Sequence, residues 1–143
     1  MKTGVPLIYA TDREDVAEVF EERAQELACP SYRLGRDFSY QDQGASFDFF
    51  FQDEHIESIS LAMPGQHQRA NASLALMTTL LLKGRFPRVT MDVILSALST
   101  SRWLGRTEFI RPHLMIDGAH NNESVQVLVE LLQTDYADKD IHI

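Results

Sequence analysis

Pro112-His113-Leu114-Met115-Ile116-Asp117-Gly118-Ala119-His120-Asn121 reads as a short apolar strand, predicted to be buried, that runs into a polar turn. Beyond it Val125, Leu128, Val129, Leu131 and Leu132 recur at helical spacing, with Asn121 or Asn122 placed to cap the first turn. Asp140 to Ile143 is expected to begin a further strand. Strand, helix and the start of a strand make half of an α/β unit, which needs neighbours to cover it. Asp117 therefore stands at the carboxyl end of a strand and ahead of a helix, where open α/β sheets place their ligands.

Upstream, Val5 to Ala10 predicts another strand, and Thr11-Asp12-Arg13-Glu14 predicts a helix start in which Thr11 and Glu14 satisfy each other's backbone donors. Val16, Val19, Phe20, Arg23, Ala24 and Leu27 form the packed stripe of that helix, with Glu18, Glu21, Glu22 and Glu26 largely on the solvated face. Between Ser31 and Met63 the period changes to two. Phe47, Phe49 and Phe51, then Ile59, Leu61 and Met63, predict an antiparallel hairpin joined by Gln52-Asp53-Glu54-His55. The aromatic run suits a half-buried sheet face better than a stacking platform for bases or a pterin. Gln66 to Gly84 turns apolar on nearly every side after a polar start, as a central helix does. Thr90 caps a second helix expected to carry Val93, Ile94, Ala97 and Leu98 inward, and Trp103-Leu104-Gly105-Arg106 interrupts the pattern.

The chain has 143 residues, 44% hydrophobic and 24% charged, enough for one ordinary domain or pieces of two. Its net charge of -8 argues against broad attraction to nucleic acid or an anionic membrane, so neither is an expected partner. The lone Cys29 can form no intramolecular disulfide, and Met1-Lys2-Thr3 opens no secretory signal, so a cytoplasmic location is the expectation. Ala70 to Leu82 is too short and too often interrupted by polar residues to cross a bilayer. His55, His67 and His113 show no ligand spacing, so no metal site is assigned.

Three segments carry the chemistry: Gly65-Gln66-His67-Gln68-Arg69-Ala70-Asn71-Ala72, Trp103-Leu104-Gly105-Arg106-Thr107-Glu108, and Asp117-Gly118-Ala119-His120-Asn121 followed by Ser124. In this order and at these separations they resemble the folate branch of the Mur ligase superfamily, the folylpolyglutamate and dihydrofolate synthases. Lys2-Thr3-Gly4-Val5-Pro6 extends the likeness to essentially the whole chain. The Asp-Gly-Ala-His-Asn form favours this branch over the cell-wall peptide ligases.

The resemblance implies an α/β fold in which residues 1–111 are the end of a Mur-ligase-type central ATPase domain and its linker, built of helices and a small antiparallel hairpin. Residues 112–143 would begin a Rossmann-like carboxyl-terminal domain, cut short. It also implies the reaction. ATP phosphorylates a folate or dihydropteroate carboxylate, and the amine of L-glutamate attacks the acyl phosphate to form an amide.

Carried over by motif, Asn71 would contact the nucleotide from the start of a helix, Arg106 would reach the ATP phosphates, Asp117 would hold ribose hydroxyls, and His120 would pack near the base. Read without the resemblance, Asn71 could cap a helix or bond inside the core, Arg106 could pair at the surface, Asp117 could stabilise a turn and His120 could cap a helix. His67 and Gln68 are assigned structural support. Leu104 and Asn122 depart from the family, which commonly has proline at the first and often at the second. No catalytic residue is assigned.

No segment has the closely spaced glycines, Lys and Ser or Thr of a phosphate-cradling loop. The family's magnesium ligands and its modified lysine lie upstream of the segment matched by Lys2. The expectation is therefore a ligase fragment that is inactive alone and exposes enough apolar surface to self-associate. The alternative is a non-catalytic nucleotide-binding or interaction module derived from the same fold.

Overall fold

The computed structural model describes residues 1–142. Strand β1 (Leu7–Tyr9) and β2 (Ser31–Arg33) pair in parallel, Leu7 opposite Ser31, and the crossover between them is α1 (Glu14–Glu26). Buried Tyr9 donates its hydroxyl to Glu21 Oε1 at 2.5 Å, Ser31 Oγ donates to the other carboxylate oxygen, and Arg36 joins through a 3.1 Å ion pair. Burial first, and then the bond to Glu21, push the Tyr9 hydroxyl up to about 12.

This arrangement corrects the reading of α1. Glu21, expected on the solvated face, anchors the helix to both strands, and Ala17 and Ala24 are the buried residues. Val19 is exposed, and exposed Arg23 pairs with Glu26 instead of packing. The Thr11–Glu14 cap is also absent. Arg13 occupies the capping position, Thr11 Oγ1 accepts from the Arg13 backbone, and the Glu14 carboxylate is taken by Arg33 at 2.8 Å.

The expected hairpin is part of a three-stranded antiparallel sheet in the order β3 (Phe38–Asp42), β4 (Phe47–Phe51), β5 (Glu54–Ile59). Its turn is tighter than expected: only Gln52 and Asp53 lie between β4 and β5, and Glu54 and His55 already belong to β5. A bulge between Phe47 and Phe49, where Asp48 accepts the Ser58 backbone N–H, shifts the register. Ile56 and Ile59 consequently face the core together, while Leu61 and Met63 lie past the strand. Phe38, Phe47, Phe49, Ile56 and Ile59 pack against Ala72, Leu76 and Met77 of α2 (His67–Leu82), the central helix.

Thr90 caps α3 (Met91–Thr100) by accepting from Val93 N. The helix packs through Met91, Ile94, Leu95 and Leu98, leaving Val93 and Ala97 outside. The Leu98 carbonyl accepts from Ala62 N just beyond β5, which fixes that rotation.

β6 (Glu108–Arg111) and β7 (Leu114–Ile116) form an antiparallel hairpin, followed by α4 (Asn122–Asp135). The hairpin turn is Pro112-His113, directly after Arg111, the last residue of β6. Asn121 is the cap of α4, its side chain accepting from Ser124 N while Ser124 Oγ accepts from Asn121 N. The strand expected to be buried is not: Leu114 and Ile116 are 46% and 42% exposed, and among the described residues β7 pairs only with β6. Asp140–His142 form no strand, and Ile143, the end of that expectation, lies outside the described residues. Among the described residues no helix is long and apolar enough to cross a membrane.

Candidate functional site

The amino end of α2, the 103–107 linker and α4 enclose an open cleft of about 840 Å³. Its polar lining includes His67, Gln68, Asn71, Arg106 and Asp117. The size and the few convergent polar groups are those of a small-molecule site.

Gly65 sets the entrance to α2. Its φ is +102°, and a Cβ there would lie 2.7 Å from His67 Cε1, so only glycine lets the imidazole fold back over the chain. Burial in the cleft holds the His67 pKa below the ordinary histidine value; the Asp117 carboxylate opposes that shift and Arg106 reinforces it. His67, Arg106 and Asp117 thus share one electrostatic environment.

Gln68 is buried and its Oε1 accepts from Asn71 Nδ2 at 3.4 Å. Asn71 is not a helix cap, since Gln66 holds that position and α2 begins at His67. The free donors expected beside Asn71 belong to the preceding turn, where Gln68 N and Arg69 N already bond to the Gly65 and Gln66 carbonyls. Asn71 itself is exposed on the cleft side of the helix.

The linker is tied to the end of β7. Asp117 Oδ2 accepts from Thr107 N at 2.8 Å and from Thr107 Oγ1 at 3.3 Å, while Oδ1 accepts from Ala119 N. Gly118 N donates to the Gly105 carbonyl at 2.7 Å, and Gly105 N donates to Glu108 Oε2. Each carboxylate oxygen can accept about two bonds; within the chain Oδ2 accepts two and Oδ1 accepts one.

Asn71, Arg106 and Asp117 therefore meet around one cleft. His120 does not line it: its Nδ1 sits 2.8 Å from the Gly118 carbonyl, its backbone N–H donates to Ser124 Oγ, and the residue is exposed. Thr107, the buried residue of the linker, was given no role by sequence, where a threonine at a left-handed backbone position leaves no signal. His67, given only a supporting role, lines the cavity directly. Among the described residues no group of three His, Cys, Asp or Glu side chains could hold a metal ion.

No protein-family model matches the sequence. The chain is 27% identical over its whole length to a dihydrofolate synthase/folylpolyglutamate synthase of Bacillus subtilis (strain 168), of which it covers 35%. It is 28% identical over 93% of its length to the folylpolyglutamate synthase of Lacticaseibacillus casei, covering 33% of that protein. Among solved structures, a folylpolyglutamate synthase in complex with AMPPCP superposes on 96% of the chain with a TM-score of 0.83 at 26% identity, the match covering 36% of that structure. The mixed helix and strand architecture is thus that of these synthases, and the chain spans about a third of the length of the relatives it matches.

Proposed function

We propose that this chain is the carboxyl-terminal part of a folylpolyglutamate or dihydrofolate synthase, an ATP-dependent ligase that adds L-glutamate to folates or dihydropteroate in the cytoplasm. Residues 1–111 would close the central ATPase domain and residues 112–143 would open the terminal one. The observation that carries the reading is the meeting of Asn71, Arg106 and Asp117 on one cleft, from three distant segments. The residues fit ATP. An amide can both donate to and accept from adenine, the guanidinium forks onto phosphate oxygens, and Asp117 Oδ1 can accept from a ribose hydroxyl. His120, outside the lining, would approach the base through movement of its turn.

The chain's own part is to bind and orient the nucleotide. Arg106 would counter charge on the phosphates, which is what phosphoryl transfer chiefly demands of a protein. Magnesium supplies further charge neutralisation in such reactions. The described residues make no metal site, so no step is assigned to a magnesium ion here, and its ligands would come from other parts of the synthase. Without those and a phosphate loop, the chain should bind nucleotide but not turn it over.

Calorimetry with AMPPCP, together with a phosphate-release assay containing ATP, folate and glutamate, tests both halves. Binding without release is expected. A chain that binds no AMPPCP would sink the nucleotide reading, and sustained phosphate release would sink the inactivity.

A further inference from the structure

We propose that Thr107 is a positioning residue, locking the linker onto Asp117 so that the preceding residue, Arg106, is held at the cleft. The inference rests on the nucleotide reading above and goes beyond it, because it gives Thr107, at the rim of the cleft, a role exerted through Arg106 and Asp117.

Three observations converge on this residue, and a fourth concerns its neighbours. Thr107 is 7% exposed, although its neighbour Arg106 is exposed. Its φ is +46°, a left-handed conformation in which a β-branched side chain is a genuine outlier and persists only where surroundings compel it. What compels it is visible: both its backbone N–H and its hydroxyl donate to Asp117 Oδ2. A second tie, Gly118 N to the Gly105 carbonyl, brackets Arg106 from the other side. A Cβ on Gly118 would approach that carbonyl to 3.2 Å, tighter than most side chains tolerate, so the two segments of chain lie close together there.

Arg106 consequently sits between two points pinned to the end of β7. A long, flexible side chain loses much freedom on binding phosphate, and fixing its backbone beforehand removes part of that cost. Asp117 is shared between this clasp and the nucleotide. The backbone N–H and hydroxyl of Thr107 together fill Oδ2, so a ribose hydroxyl would be accepted by Oδ1.

Thr107→Val removes the hydroxyl and keeps the shape, Thr107→Ser keeps the hydroxyl, and Thr107→Gly suits the left-handed backbone and guards against misfolding of the valine variant. In the ligand-free 143-residue chain, amide exchange at Thr107 and Gly118 should quicken about fivefold for Val and Gly, the effect of one lost hydrogen bond, and stay near wild type for Ser. AMPPCP affinity should fall by a similar factor for Val and Gly, adenosine affinity should hold within about twofold, and Ser should restore both. Unchanged exchange, equal losses for AMPPCP and adenosine, or failure of Ser to restore affinity would each overturn the clasp. If the wild-type chain binds neither ligand, the nucleotide reading fails and takes the positioning role with it. If wild type binds AMPPCP and the variants bind it equally well, only the clasp fails.

Discussion

Gly65 and His67 are so close that a side-chain carbon on the first would lie 2.7 Å from Cε1 of the second. The left-handed Gly65 backbone and the imidazole are therefore parts of one turn. Gly65→Ala should cost roughly 2–3 kcal/mol, combining the positive-φ penalty with displacement of a half-buried ring. Denaturant midpoints would measure it. Because the collision is with this one side chain, adding His67→Ala to Gly65→Ala should recover part of the loss, and strictly additive single and double variants would refute the packing.

The depressed pKa of His67 makes a pH prediction whose sign follows from which state takes up the proton first. In the folded chain burial favours the neutral ring, so on acidification the unfolded chain protonates before the folded one. Stability should therefore fall as pH drops through the ordinary histidine range of about 6.5 towards the lower folded value. His67→Gln should flatten that part of the curve. Urea unfolding of both chains between pH 7.5 and 5.5 gives the comparison; parallel curves would count against it.

Arg106→Ala should weaken AMPPCP more than adenosine, since the lost bonds are to phosphates. A charge-assisted hydrogen bond contributes about 1.5–3 kcal/mol, so a loss of roughly 10- to 100-fold is expected for the triphosphate analogue. Equal losses for both ligands in calorimetry would contradict the assignment.

Tyr9→Phe should destabilise the amino-terminal unit by about 1–2 kcal/mol, because it strips a donor from the Glu21 carboxylate that ties α1 to both parallel strands. Circular dichroism melts would show it. A change below a few tenths of a kcal/mol would mean Ser31 and Arg36 satisfy Glu21 unaided.

Phe109, Ile110, Leu114, Ile116, Val125 and Val129 are all at least 40% exposed, a large amount of apolar surface left facing solvent. We expect concentration-dependent self-association, reduced by Ile110→Lys with Leu114→Lys. Light scattering that finds only monomer across the concentration range would refute it.

The elements that rest on periodicity were legible in the sequence: the central helix at 67–82, the Thr90 cap, a cap at Asn121 or Asn122, and a hairpin opening with β4, although its second strand was expected around Ile59–Met63 and lies at Glu54–Ile59. Features decided by long-range polar bonds were not. Glu21 looks like one more member of an acidic face until Tyr9, Ser31 and Arg36 are seen around it. The β4–β5 bulge hides in a run where alternation looks perfect, because Asp48 breaks the register by bonding the Ser58 backbone. In the cleft, the family resemblance named Asn71, Arg106 and Asp117, and all three line it. It did not reveal that Asp117 spends one oxygen on the linker, or that His120 turns towards the Gly118 carbonyl.

The bond from Gly118 to the Gly105 carbonyl has a mechanical consequence. With Gly105 and Thr107 stitched to the end of β7, residues 105–107 travel with the β6–β7 hairpin rather than with α3. Any displacement of that hairpin that spares the stitches carries Arg106 with it relative to Asn71 on α2.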